Sequence, residues 1–142
     1  GITPWCAASA LTNEDRTTVE SLLKAMGRQL EIEESMMDSA TAVSGSGAGF
    51  VFEFAGALCA AAENAGFDAE TARTLSIETL LGSARLLARS PDSPEKLRNK
   101  VASPNGTTEA GLNRMADGDL RGLIRDTIEA ARLRAIEVSQ ET

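Results

Sequence analysis

The residues best placed to do chemistry in this chain are Ser103-Pro-Asn-Gly-Thr-Thr108, a Pro-Asn-Gly corner followed at once by the threonines that open a helix. Such a corner aims backbone N–H groups and hydroxyls at one point, and a new helix N-terminus adds partial positive charge there. The combination predicts a socket for a small carboxylate. Ser103 and the amides from Gly106 to Thr108 would bind its oxygens, and a threonine hydroxyl would meet a second polar atom of the same molecule. Read for structure alone, the same residues are a helix-linking turn capped by Thr107.

Other chemistry-bearing groups point to less. Ser44-Gly-Ser-Gly-Ala-Gly49 has its glycines at every second position and follows a helical pattern, whereas a dinucleotide loop needs a preceding strand and the spacing G-x-G-x-x-G. Close backbone packing between two helices is the expected use. The acidic run Glu31, Glu33, Glu34 and Asp38 reads as a solvated strand-to-helix junction, and Asp117-Gly-Asp119 as a C-cap followed by an N-cap, so no metal is assigned to either. Glu53 is an isolated carboxylate in an apolar helix and is expected at a rim or an interface between subunits.

The chain has no histidine, which excludes a Ser-His-Asp triad, a Cys-His pair and histidine-ligated zinc. Its charge of −7, from 14 basic and 21 acidic residues, offers no counterion-release drive toward nucleic acid or anionic lipid. Cys6 and Cys59 are expected to be free thiols in a reducing cytoplasm. No leader pattern opens the chain, and no run is expected to reach the roughly 20 uncharged apolar residues that span a bilayer. Starting without methionine and running directly into Ile2-Thr-Pro-Trp-Cys-Ala7, it reads as a chain entered midway.

The elements that must position the socket are mostly helical. Residues 2 to 7 predict a strand, Asn13 caps a helix through Val19, Leu22, Leu23 and Met26 that Gly27 ends, and Arg28 to Glu33 alternates like a second strand. That is one α/β crossover without the neighbours a stable sheet needs. A short helix follows over about 34 to 43; Ser44-Gly-Ser-Gly47 is expected to break it and to start a long helix from about Ala48 to Asn64, closed by Gly66. This helix is apolar nearly all round, and a fold of this size has little material to surround it, so an interwoven dimer is expected, with Ala55, Gly56, Ala57 and Ala60 to Ala62 allowing close approach. Asp68 caps a helix over 69 to 89 whose core stripe is Ala72, Leu75, Leu80, Ala84 and Leu87. Ser93-Pro94 opens a short one to Val101, and helices over about 107 to 116 and 119 to 139 complete the chain around a Gly118 stop.

Two blocks carry a resemblance to a known family. Val43-Ser-Gly-Ser-Gly47 with Phe50-Val-Phe52 resembles the Ser-Gly-Ser-Gly-Pro-Ala-Tyr helix entry of pyrroline-5-carboxylate reductases, and Val101 to Thr108 with Gly111-Leu112 resembles their Ser-Pro-Gly-Gly-Thr-Thr signature. Leu80-Leu-Gly-Ser-Ala84 is similar to a further family helix, and Gly1 to Glu33 to the last strand-helix-strand of the coenzyme domain. The resemblance implies a mainly α fold, a helical bundle of the 6-phosphogluconate-dehydrogenase C-terminal-domain-like type in an interwoven homodimer. Residues 1–33 would be a remnant β-α-β of a Rossmann domain and residues 34–142 the helical dimerisation and substrate-binding domain. It also implies reduction of Δ1-pyrroline-5-carboxylate to L-proline by NADPH or NADH, the coenzyme being bound mainly by a missing N-terminal domain, so that the chain alone would be inactive. By position, Ser103, Gly106 and Thr107 would bind the substrate carboxylate and Thr108, the catalytic position, would hydrogen-bond the ring nitrogen. Ala48-Gly49-Phe50 stands where the family has Pro-Ala-Tyr, and Asn105 where it has the first glycine of its pair. A divergent paralogue acting on another cyclic imine, or a non-catalytic dimerisation module, would keep the same helices.

Overall fold

The computed structural model describes residues 1–7 and 11–141, and within them two strands are followed by a succession of helices. Strand β1 (Ile2–Trp5) and strand β2 (Arg28–Glu31) pair in parallel, Ile2 opposite Arg28 and Trp5 opposite Glu31, and helix α1 (Asn13–Met26) crosses between them. The crossover is as the pattern predicts, with shorter strands and a different cap. Thr12, not Asn13, is the N-cap, its hydroxyl oxygen accepting the Asp15 N–H at 3.1 Å, and Asn13 is already helical. The loop residues of the expected crossover at 8–10 lie outside the described residues.

Gly27 ends α1 at φ 144°, a conformation open to glycine and hardly to anything else, and the Arg28 N–H goes on to the Gly1 carbonyl at 3.1 Å. A Cβ at Gly27 would sit 2.7 Å from that carbonyl oxygen. Gly27→Ala is therefore expected to destabilise the protein by about 1–3 kcal/mol, the usual cost of a strained φ, read as a lower urea midpoint with an unchanged m-value.

The structure corrects the expected break at Ser44-Gly-Ser-Gly47. A 3-10 turn (Glu34–Met36), helix α2 (Met37–Ala40) and a π turn (Thr41–Gly45) lead into helix α3 (Gly47–Asn64) with the chain helical throughout, the Ser46 N–H reaching back five residues to the Thr41 carbonyl at 2.8 Å. The glycines widen the helix by one residue instead of stopping it, because a helical conformation is as open to glycine as any other. Uninterrupted, Glu34–Asn64 runs 31 residues and holds an 18-residue window with a mean hydropathy of 1.3, long and apolar enough to cross a membrane by length and composition alone. Glu53 divides it, so it contains no run of roughly 20 uncharged residues.

Helices α4 (Ala69–Arg89), α5 (Pro94–Val101), α6 (Thr107–Asp117) and α7 (Leu120–Gln140) follow the expected order. Asp68 caps α4 by accepting the Thr71 N–H at 2.9 Å, Ser93 caps α5, and Pro94 occupies its first turn. Contacts gather residues 1–48 and 125–142 into one compact unit and 49–124 into another.

Neither unit buries much. Among the described residues the buried apolar side chains are Trp5, Ala42 and Ala72, and no large side chain is fully buried. In the first unit Trp5 lies under the Arg16 guanidinium, 5.8 Å from its ring centroid, and donates its indole N–H to Gln29 Oε1 at 2.6 Å, while Arg16 pairs with Glu31. In the second, α3 leaves Phe52 72% and Val51 57% exposed. The expected stripe on α4 is only partly inside: Ala72 is buried and Leu80 half-buried, but Leu75, Ala84 and Leu87 are exposed. A stripe drawn from periodicity identifies the apolar face, and the described residues cover only part of it.

The α4–α5 turn is tied by Asp92, which accepts from Lys96 Nζ at 2.6 Å and from Lys100 Nζ. The Lys100 and then the Lys96 hydrogen bonds hold its carboxyl below the usual carboxylate range. A lowered native pKa stabilises the fold above the ordinary range, and that stabilisation is lost as pH falls through the lower value. Asp92→Asn is expected to flatten the acid limb of the melting-temperature profile below about pH 4.

Candidate functional site

The site is the link between α5 and α6, and its shape follows from four residues. Ala102 leaves the helix at φ −94°, ψ 99°, the extended conformation in which α5 ends. From Ser103 the chain reverses, and the Gly106 N–H returns to the Ser103 carbonyl at 3.0 Å. Pro104 stands at the second position of this turn, where its fixed φ fits, and Asn105 at the third adopts φ 58°. Proline followed by a positive φ is the signature of a type II turn, which usually needs glycine at the third position; asparagine is among the few other residues that accept it.

Gly106, not Thr107, is the N-cap of α6, and no side chain caps it. At φ −87° its backbone suits any residue, so the need for glycine is spatial: a Cβ would fall on Ser103 Oγ and lie 3.0 Å from the Ser103 carbonyl oxygen. Thr107 and Thr108 are the first two helical residues, where backbone N–H groups have no partner within the helix. Neither threonine hydroxyl makes a hydrogen bond within the described chain. Ser103, Gly106, Thr107 and Thr108 thus stand in one short link, with the unpaired donors of Thr107 and Thr108 at the positive end of an 11-residue helix and the Gly106 N–H held by the Ser103 carbonyl.

Sequence reasoning missed Glu109. It is the third residue of α6, and its Oε2 accepts the Asn105 N–H at 2.8 Å, reaching back across the cap. An acidic residue three positions past a cap is the signal that could have found it, but glycine at the cap hides the usual Ser/Thr-x-x-Glu pattern.

The socket is an open face. Ser103 and Thr107 are exposed, Gly106 and Thr108 half-buried. A cavity of about 400 Å³ in the same unit is lined by Arg98, Leu112, Met115, Ala116, Asp119, Leu120 and Arg121, along the C-terminal half of α6 and away from the turn. Lys100, at the end of α5, is engaged with Asp92.

The other glycine-rich segment is not a nucleotide loop. Its Ser46 N–H is committed to the Thr41 carbonyl and its Ser44 hydroxyl to the Ala40 carbonyl at 2.9 Å, while Ser44 and Gly45 line a small cavity with Pro4 of β1. Neither of these two donors is open to a pyrophosphate. Cys6 and Cys59 are free thiols, and Glu53 is exposed on α3.

Comparison with known proteins places this geometry in context. Residues 34–138 match the family described as pyrroline-5-carboxylate reductase dimerisation. The chain is 34% identical over 139 residues to pyrroline-5-carboxylate reductase 2 of Bacillus subtilis, covering 98% of this chain and 50% of that protein. Among solved structures, a pyrroline-5-carboxylate reductase from Coxiella burnetii is similar at a TM-score of 0.91 and 34% identity, over 96% of this chain and 51% of that one. The Plasmodium falciparum pyrroline carboxylate reductase, solved with NADP bound, is similar at a TM-score of 0.87 and 27% identity, over 93% and 53%. The chain thus spans about half the length of the relatives it matches.

Proposed function

This chain belongs to the pyrroline-5-carboxylate reductase family, and we propose that it supplies the dimerisation and substrate-binding part of an enzyme reducing Δ1-pyrroline-5-carboxylate to L-proline with NADPH or NADH. The observation that carries the reading is the Ser103–Thr108 turn, which presents unpaired amides and hydroxyls in the segment that resembles the family signature. The Ser103 hydroxyl and the Thr107 amide bind the substrate carboxylate, Gly106 shapes the turn with its own N–H on the Ser103 carbonyl, and the Thr108 hydroxyl holds the ring nitrogen. A protonated imine is already electrophilic, so these residues bind and orient and need not act as acid or base, in keeping with a chain that has no histidine. The coenzyme would supply the hydride and be held by a further, N-terminal domain, in keeping with a chain that spans about half the length of its relatives. On this reading residues 1–33 are the end of that coenzyme domain and residues 34–142 the dimerisation and substrate domain; the family match beginning at residue 34 supports the division. The compartment is the cytoplasm, with Cys6 and Cys59 reduced.

A homodimer follows from the same reading. The exposed Phe52, Val51 and Phe54 of α3 form an apolar face that one chain leaves wet, and Gly56 and Gly82 sit inside helices with nothing within 4 Å of where a Cβ would be. A mid-helix glycine costs about 1 kcal/mol relative to alanine, and nothing among the described residues requires these two. A second subunit lying close against α3 and α4 accounts for both, and it accounts for the long apolar helix without a membrane.

The test is NADPH oxidation with pyrroline-5-carboxylate by this chain joined to a family coenzyme domain, beside the chain alone. Activity in the joined form only is expected. Oxidation in neither overturns the reading in favour of a paralogue for another cyclic imine, assayed in parallel, or a non-catalytic module.

A further inference from the structure

From the geometry of the turn we infer that Glu109 is a positioning residue that locks the Pro104–Asn105 peptide in the orientation the substrate socket needs; this rests on the reductase reading of that socket. Type I and type II turns share their end-to-end hydrogen bond and differ by a flip of the central peptide, which moves the third residue between negative and positive φ. Here the shared bond is Gly106 N–H to Ser103 O, the central peptide joins Pro104 to Asn105, and the third residue stands at φ 58°. The shared bond does not choose between the two forms. With glycine at the third position the type II form is almost free of strain, but asparagine has a Cβ and gains by returning to negative φ.

What opposes the flip is the Asn105 N–H, which donates to Glu109 Oε2 at 2.8 Å. Flipping the peptide breaks this bond and turns the Pro104 carbonyl oxygen toward the side where the N–H now points, the side of the Glu109 carboxylate and the first turn of α6. The oxygen then meets a carboxylate, which repels it, or the unpaired first-turn amides, which it occupies. Either outcome sets an acceptor where an anionic ligand requires donors. Glu109 touches no substrate atom in this account; it acts through Asn105. It fulfils for Asn105-Gly106 what the first glycine fulfils in a Gly-Gly pair.

The experiment uses the full-length enzyme, this chain with its coenzyme domain, as wild type, Glu109→Ala, Glu109→Gln and the double variant Asn105→Gly with Glu109→Ala. Glu109→Ala is expected to raise KM for pyrroline-5-carboxylate about tenfold with kcat within about twofold, the mark of lost binding rather than lost chemistry. Glutamine keeps an acceptor oxygen and is expected to restore KM, and glycine at 105 to make the alanine variant nearly normal. Amide exchange at Asn105 reads the lock without reference to catalysis: this exposed amide is protected in wild type and loses protection in Glu109→Ala. An unchanged exchange rate, an alanine variant with wild-type KM, or a glutamine variant as impaired as alanine overturns the inference in an enzyme that is active. An inactive wild type overturns the reductase reading, and the exchange comparison still decides the lock.

Discussion

Gly106→Ala is expected to lower kcat/KM for pyrroline-5-carboxylate by roughly a hundredfold in the full-length enzyme, with the loss mainly in KM. The backbone at Gly106 is in an ordinary conformation, so the substitution brings no φ strain; the objection is that the new Cβ lands on Ser103 Oγ and 3.0 Å from the Ser103 carbonyl oxygen. One of these atoms closes the turn and the other is assigned to the substrate carboxylate. A methyl group is housed by swinging the serine hydroxyl aside and shifting the Ser103 carbonyl that closes the turn, which moves the donors that must converge. Because the link is exposed and ends on two independently formed helices, the melting temperature is expected to fall by only a few degrees. Steady-state kinetics beside a melting curve checks this; wild-type KM in a folded Gly106→Ala enzyme would show that the turn does not hold the substrate.

The second large effect is on assembly. Phe52 is the most exposed of the large apolar side chains, 72% accessible on a helix whose surroundings within the chain bury none of its residues. If α3 lies against a second copy, Phe52→Asp removes about 1.5–3 kcal/mol of apolar burial and puts a carboxylate in its place. A twofold interface carries each substitution twice, so the dissociation constant is expected to rise by at least about a thousandfold. Sedimentation at micromolar concentration should show the wild-type enzyme as a dimer or larger and the variant as monomer or aggregate, with activity lost in step. A variant that keeps the wild-type mass would place Phe52 outside the interface.

The comparison of pattern with structure divides along a physical line. Helix ends were legible where one or two neighbouring residues decide them: Asp68 and Ser93 as caps, Gly27 as a stop, and Pro94 in the first turn are all where the pattern puts them. The same local chemistry explains the near miss at α1, since Thr12 and Asn13 are both good caps and only the geometry chooses the first. Ser44-Gly-Ser-Gly47 was misjudged because glycine favours no single conformation; flanking helix and the Thr41–Ser46 hydrogen bond carry the chain through. Leu75 and Leu87 were assigned to a core because periodicity reports which face is apolar and says nothing of which chain covers it. The Pro104-Asn105-Gly106 corner and the helix that opens after it were readable from turn residues alone. The Glu109 contact was not, because it depends on a side chain folding back over a cap that has no side chain of its own.

The central claim is that the Ser103–Thr108 turn holds the carboxylate of the substrate, and a crystal structure of the full-length enzyme with L-proline tests it most directly. The account predicts the proline carboxylate within hydrogen-bond distance of the Ser103 hydroxyl and the Thr107 amide, with the ring nitrogen on the Thr108 hydroxyl. Proline bound elsewhere in an active enzyme, with the turn empty, would contradict it.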